Sequence, residues 1–379
     1  MKASPALATS APAASISTKK VGIIGGGQLG RMLALAGYPL GIHSILLASS
    51  ADAPAAQVAE VLIGALDNAP QIAKLAKRVD VLTYEIENVP VTALTGLPPE
   101  TRLRPPLVAL TAGQDRLLEK QLFEAMRIPT TRYRTVDGML DLESAAQEIG
   151  YPAMLKTRRL GYDGHGQRVI RSPGDLGSAF NALGGVPLIL EEFIEFDREV
   201  SLVSVRNVQG ATAFYPLTEN HHREGILRLS LAPCPNHVRL QATAERYLER
   251  ILQHFDYIGT FTVEFFVKRG RLYANETAPR VHNSGHWTID GAVTSQFENH
   301  MRAILGLPLG STATLGYSAM VNFIGEMPPL EAVLKIPGAH YHDYGKAPRP
   351  NRKLGHATLV CKTRKELLRH LKDFPGLSL

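Results

Sequence analysis

The stretch GTFTVEFFVKRGRLYANETAPR, residues 259–280, consists of two strand-like apolar runs on either side of the turn Lys268-Arg269-Gly270. A hairpin folded on that turn sets Glu264 opposite Glu276. Opposed Cβ atoms across an antiparallel pair lie about 4.5–5.5 Å apart, so two facing carboxylates repel unless a cation stands between them. A hard divalent ion such as Mg²⁺, which takes carboxylate and phosphate oxygens, resolves that conflict. A solvated hairpin with its acids splayed apart satisfies the same pattern, and the pair alone does not separate the two readings.

Upstream, VGIIGGGQLG (21–30) carries Gly25, Gly27 and Gly30 on the G-x-G-x-x-G spacing of dinucleotide sites. Such a site wants an acid about 20 residues further on, at the end of the second strand. That place reads Leu47, Ala48, Ser49, Ser50, and Asp52 comes after the strand pattern has ended. The NADP variant wants a nearby Arg or Lys, and SSADAPAAQVAE (49–60) has none. What remains is a glycine-rich turn, either purely structural or open to close approach by a ligand. The apolar run VGII, the helix-like RMLALAG and the run SILLA from Ser44 make a β-α-β opening. VDVLTYEIENVP (79–90) adds a strand that ends in Glu85 and Glu87. The economical reading to about residue 110 is an open parallel sheet, whose ligands sit beyond the carboxyl ends of its strands.

After the amphipathic helix in GQDRLLEKQLFEAM (113–126) the texture turns to short strands and tight turns, an α+β pattern. In KTRRLGYDGHGQRV (156–169), Lys156 ends a strand and Gly161, Gly164 and Gly166 form a turn. Such a loop can fold over a triphosphate while the lysine neutralises its charge, or it can be an ordinary Asp-Gly hairpin. In LILEEFIEFDRE (188–199), backbone groups around Glu191 and Ile194 suit an adenine edge, and Glu199 suits ribose hydroxyls. A helix is expected over 239–255, and strands SAMVNFIG and HATLVCKT in a small closing domain from about 310. YGKAPRPNRKLGH (344–356) gathers Lys346, Arg349, Arg352, Lys353 and His356, which by themselves read as a solvated basic loop.

Composition narrows the class. The 379 residues allow two to three domains of about 150 residues each, and the 45% hydrophobic content fills several cores. No apolar run approaches the ~20 residues of a membrane span. The opening MKASPALATSAPAASIST lacks a signal-peptide core and any Arg, so it is expected to be a disordered tail or an over-long start rather than a transit peptide. Cys234 and Cys361 are the only cysteines, and their separation suggests neither a disulfide framework nor a thiolate metal site. The chain therefore reads as cytoplasmic. Its net charge of +6 is spread along the sequence in short clusters that suit phosphorylated small molecules as well as nucleic acid.

The order of these parts resembles the ATP-grasp superfamily and, within it, the 5-(carboxyamino)imidazole ribonucleotide synthase family of purine biosynthesis. The motifs that carry the resemblance are GGGQLGRML, TYEIENV, GYDGHGQ, FDREVS, NETAPRVHNSGHWT with SQFENHMRAILGLPLG, and YGK with RPNRKLGH, from about residue 20 to about 370. It implies an ATP-grasp fold of mixed α/β and α+β class, with a tail at 1–19 and a Rossmann-like pre-ATP-grasp domain at 20–112. An ATP-grasp region follows at 113–310, with a flexible subdomain near 130–195, and then a small closing domain at 311–379.

The implied reaction is ligation: ATP phosphorylates bicarbonate to carboxyphosphate, which yields carbon dioxide for capture by the amine of aminoimidazole ribonucleotide, releasing ADP and phosphate. The resemblance places ATP on Arg116, Lys156, Glu191, Ile194, Glu199 and His222, and Mg²⁺ (or Mn²⁺) on Glu264 and Glu276. It places bicarbonate on Arg280, His282 and Asn283, and Tyr162 and Asp163 near the reacting amine. The ribonucleotide falls to Gln28, Glu85, Glu87, Lys346, Arg352 and Lys353. A homodimer is implied, with no nucleic-acid or membrane partner. Two positions depart from the family: His165 stands where Lys or Arg is common, and Ala48-Ser49-Ser50 stands where an Asp and Pro are usual. The competing readings are a formate-dependent glycinamide ribonucleotide transformylase, which should lack HNSGHWT and RKLGH in this arrangement, and a non-catalytic nucleotide- or nucleic-acid-binding protein.

Overall fold

The computed structural model describes residues 18–161, 165–236 and 238–377, so the tail expected at 1–19 falls almost wholly outside the described residues. Strands β1 (Lys20–Ile24), β2 (His43–Ala48), β3 (Glu60–Ile63) and β4 (Val81–Tyr84) form a parallel sheet in the order β3-β2-β1-β4. The β-α-β opening is therefore present, with its helix at Gln28–Gly37. Parallel strands covered on both faces need continuous apolar runs. Val21 and Ile23 accordingly pack with Leu29 and Leu33 of that helix and with Phe297 and Met301 of helix Gln296–Leu305, while Ile24, Ile45 and Leu47 pack on the other face with Ile72 and Leu75. The short edge strand β3 has no counterpart in the expected pattern.

Strands β5 (Tyr133–Val136), β6 (Ala153–Thr157), β7 (Gln167–Ile170) and β8 (Leu188–Glu192) make a small antiparallel sheet in the order β5-β8-β6-β7. Helices Met139–Ile149 and Leu176–Leu183 close its core. The third sheet contains β9 (Arg198–Arg206), β10 (Thr212–Phe214), β11 (Thr218–Arg223), β12 (Ile226–Ala232), β13 (Gly259–Lys268), β14 (Arg271–Ala278), β15 (Tyr317–Ile324), β16 (Ala339–Asp343) and β17 (Lys353–Cys361). Its order is β14-β13-β9-β11-β12-β15-β17-β16, with β10 paired to β9. Strands from either side of residue 310 thus share one β-layer, and the boundary expected there falls within a continuous sheet.

Alternation along the strands gives this sheet two unlike faces. Val200, Leu202, Val263 and Phe265 pack under helix Val238–His254, close to the helix expected over 239–255. Glu264 and Ser201, one residue out of phase, belong to the opposite, polar face. The hairpin has the expected register, Glu264 opposite Glu276, and a bulge follows at once, because Phe265 pairs with Ala274. Bulges re-aim side chains at such places.

Candidate active site

Glu276 is held by Arg116 Nη1 at 3.3 Å, and Glu264 lies 3.5 Å from His282 Nε2. Burial, and then the facing charge of Glu276, push the Glu264 carboxyl up to about 8. Burial and a like charge facing the group both disfavour its ionised form. The oxygen donors of the pair fit a hard divalent ion. Among the described residues no group of three or more His, Cys, Asp or Glu is arranged to hold a metal alone. Beside the pair, His222 Nδ1 lies 2.6 Å from Glu199. Burial alone would lower the imidazole's pKa, but the Glu199 bond and the fields of Glu264 and Glu276 carry it up to about 9. The bond to Glu199 thus biases His222 toward its charged form.

A second cluster surrounds Glu191 at the end of the small sheet. Its carboxylate lies 2.9 Å from Lys120 Nζ and 3.1 Å from Lys156 Nζ, and it accepts from Thr131 Oγ1 at 3.0 Å. Burial works against the charge, yet Lys120, Lys156 and Arg116 hold this carboxyl well below the usual carboxylate range. Ile194 follows in the half-buried loop after β8. Lys120 was not among the expected site residues. Its signal is positional: Arg116, Glu119 and Lys120 stand at i, i+3 and i+4 of helix Arg116–Ala125, a charged stripe on the face that also buries Phe123. Asp115, the cap of that helix, also binds Arg158 at 2.7 Å and Arg159 at 3.1 Å, anchoring the start of the glycine-rich loop. Tyr162 and Asp163 of that loop lie outside the described residues.

The first glycine loop answers the question its spacing raises. The buried Glu85 carboxylate accepts from the backbone N–H groups of Gly27 and Gly30, at the start of helix Gln28–Gly37 where a dinucleotide's phosphates would sit. A Cβ on Gly25 would stand 2.4 Å from Glu85 Cγ, and one on Gly27 would stand 2.8 Å from its Oε1. The glycines make room for an acid of the same chain. Glu87 is bound by the guanidinium fork of Arg280, Nη2 at 2.8 Å and Nε, which joins the first sheet to the large one. Gln28 accepts from Lys346 Nζ, whose pKa burial and then Arg352 push down to about 8. Arg352 itself is half-buried and donates to Ala347 O at 3.0 Å. Lys353 opens β17, and its charge acts on Glu87, Glu264 and His282.

Between the facing carboxylates and this basic hairpin lies the turn 280–285. Arg280 Nη1 donates to Val281 O at 2.9 Å, so this bond and the fork to Glu87 engage one N–H on each of its three nitrogens. Asn283 exchanges two hydrogen bonds with the buried Asn322, at 3.1 Å and 2.8 Å. The backbone of His282 is gripped by the side chain of Gln296, N–H to Oε1 at 3.0 Å and Nε2–H to the carbonyl at 2.6 Å. Neither carboxamide was expected from the sequence: Asn322 looks like a lone polar residue in the apolar stretch SAMVNFIG, and Gln296 is one of several polar residues in TSQFENH. The arrangement is one continuous polar strip: a cationic pocket at Lys120 and Lys156, facing carboxylates, a turn rich in N–H donors, and a basic hairpin. Such a strip can bind a polyphosphate at one end, a phosphomonoester at the other, and a small oxyanion between them.

Comparison with known proteins follows the same division. Three family descriptions match: a ribonucleotide synthetase preATP-grasp domain at residues 18–114, an ATP-grasp domain at 121–297 and a phosphoribosylaminoimidazole carboxylase C-terminal domain at 318–370. The N5-carboxyaminoimidazole ribonucleotide synthase of Pseudomonas aeruginosa is 50% identical over 94% of this chain and 99% of its own. The crystal structure of the synthetase from Thermus thermophilus is 52% identical with a TM-score of 0.91, covering 95% of this chain and 99% of that one. The Aspergillus clavatus synthase, solved with ADP and 5-aminoimidazole ribonucleotide, is 32% identical with a TM-score of 0.88 over 94% of this chain and 97% of its own.

Proposed function

The chain belongs to the N5-carboxyaminoimidazole ribonucleotide synthase family of ATP-grasp ligases, and from that membership we propose how its residues divide the reaction. The activity is ATP-dependent carboxylation of 5-aminoimidazole ribonucleotide in purine biosynthesis. Bicarbonate supplies the carbon: one of its oxygens takes the γ-phosphoryl group, ADP leaves, and carboxyphosphate forms. Loss of phosphate gives carbon dioxide, to which the exocyclic amine adds, releasing a proton and leaving the carbamate.

ATP is bound with its phosphates toward Lys156 and Arg116, its adenine along the backbone at Glu191 and Ile194, and its ribose at Glu199 with His222 beside it. Glu264 and Glu276 hold Mg²⁺, which supplies charge neutralisation at the transferring phosphoryl group. Arg280, His282 and Asn283 offer N–H donors to bicarbonate and to the charge that develops on it. Gln28, Lys346, Arg352 and Lys353 take the ribonucleotide, its 5′-phosphate lying against the lysines. Glu85 shapes that pocket through the glycine loop, and Glu87 does so through Arg280. Tyr162 and Asp163 serve the reacting amine. The domain limits expected from the sequence, a cytoplasmic setting and a homodimer belong to the same proposal.

The observation that carries this reading is the facing pair Glu264–Glu276, bracketed by Arg116 on the ATP side and His282 on the side of the turn. It is tested by ADP release in a substrate-swap assay. Full turnover is expected only with ATP, bicarbonate and aminoimidazole ribonucleotide together. Equal turnover with formate or glycinamide ribonucleotide overturns the assignment.

A pH dependence follows from Lys346. Its ammonium, held to about 8 in the free enzyme, is charged below that pH and neutral above it. The kcat/KM for the ribonucleotide should therefore fall as pH rises through about 8. A Lys346→Arg variant should hold its plateau to higher pH, and identical profiles for the two proteins would count against a phosphate contact by this lysine.

A further inference from the structure

Beneath the turn that carries His282, a row of four buried polar side chains links three strands of the large sheet's polar face to the turn itself. Ser230 on β12 donates to Asn220 Oδ1 at 2.8 Å, and Asn220 Nδ2 on β11 donates to Ser201 Oγ at 2.9 Å. Ser201 on β9 donates to Ser284 Oγ at 2.7 Å, and Ser284 Oγ lies 2.9 Å from His282 Nδ1. Ser201, Ser230 and Ser284 are fully buried and Asn220 is 4% exposed.

The direction of this chain is set at one end. The backbone N–H of Ser284 points at His282 Nδ1 at 3.3 Å, and a backbone N–H only donates. Nδ1 is therefore an acceptor, and the ring proton sits on Nε2. The short contact from Ser284 Oγ to the same nitrogen is then favourable only if that hydroxyl also donates. With its proton engaged there, Ser284 Oγ accepts from Ser201, Ser201 accepts from the amide of Asn220, and Asn220 Oδ1 accepts from Ser230. Every proton in the row points toward His282. Four buried polar groups are costly unless each is satisfied, and apolar residues would fill the same positions at less cost. The one end of the row that opens on the polar strip is the imidazole.

We propose that the Ser230–Asn220–Ser201–Ser284 row positions His282 by locking its ring orientation and its Nε2–H tautomer, so that the imidazole meets the reacting oxyanion as a neutral N–H donor. The four are positioning residues, since none touches substrate. The proposal rests on the placement of bicarbonate at His282, Asn283 and Arg280.

The test uses the full-length enzyme with Ser201→Ala and Ser201→Thr. Ser201→Ala should keep the KM for ATP within about twofold while kcat falls about 10- to 100-fold, the range found when an outer hydrogen-bond partner that orients a functional histidine is removed. Ser201→Thr, which keeps the hydroxyl, should recover most of kcat. In ¹⁵N-histidine-labelled protein, the His282 signals, identified by their loss in His282→Gln, should be those of one acceptor and one protonated nitrogen. In Ser201→Ala they should move toward tautomer averaging. Wild-type kcat with unchanged His282 signals in Ser201→Ala overturns the proposal, as does equal loss in Ser201→Ala and Ser201→Thr. If His282→Gln itself retains full activity, the placement of bicarbonate has failed instead.

Discussion

A Glu276→Gln enzyme is expected to keep its circular dichroism spectrum and to lose at least about 10³-fold of its Mg²⁺-dependent turnover, the scale set by removing a group that stabilises transferring charge. The expectation follows from geometry. Glu276 is the only one of the facing pair that is also held by Arg116, at 3.3 Å, so it fixes the metal position relative to the phosphate end of the strip. Glutamine has the same shape and can still accept from Arg116, so the hairpin and its bulge should survive. What it lacks is the charge that a hard cation needs. Burial is the larger cause of the raised Glu264 pKa and remains in the variant, but the substitution removes the second, the facing charge, so Glu264 should ionise more readily. The measurements are ADP release against Mg²⁺ concentration and the far-ultraviolet spectrum. A folded variant with ordinary turnover would remove the metal assignment.

The largest stability effect is expected at Glu191. Glu191→Leu leaves Lys120 and Lys156 side by side without their anion, and breaking a buried pair in this way costs about 3–5 kcal/mol. The urea midpoint should fall at unchanged slope, and ATP turnover should be lost. A triple change, Lys120→Met with Lys156→Met and Glu191→Leu, should recover much of the stability while remaining inactive, because apolar groups of like volume replace a buried ion cluster at little cost. A Glu191→Leu protein as stable as the parent would show that the cluster is hydrated. The sign with pH follows from the depressed carboxyl. Its folded-state value lies far below the ordinary 4.5, so its contribution is complete above about 4.5 and is lost only as pH falls toward the folded value.

Features governed by local pattern were legible in the sequence. Two apolar runs around Lys268-Arg269-Gly270 predict a hairpin, and the hairpin's register puts Glu264 opposite Glu276 as found. The parallel opening and the long helix before β13 were legible for the same reason, since period and length are properties of one segment. Contacts made across the chain were not. Nothing near Asn322 or Gln296 indicates that their amides grip residues 282 and 283. Nothing around residue 310 shows that strands on either side of it share a sheet. Lys120 is an intermediate case. Its stripe with Arg116 and Glu119 is visible, but a charged stripe on a helix ordinarily faces water, and here it faces the carboxylate of Glu191.

The carboxylate of Glu85 extends the argument about the first glycine loop. The sequence reading sets NAD aside because no acid follows the second strand. The folded chain adds a competitor. A tethered group competes for its own site at a concentration set by the chain rather than by the solution. A soluble dinucleotide would therefore have to displace the Glu85 side chain from the N–H groups of Gly27 and Gly30 before it could bind them. The loop that matches the spacing of a binding site already holds a ligand supplied by its own chain.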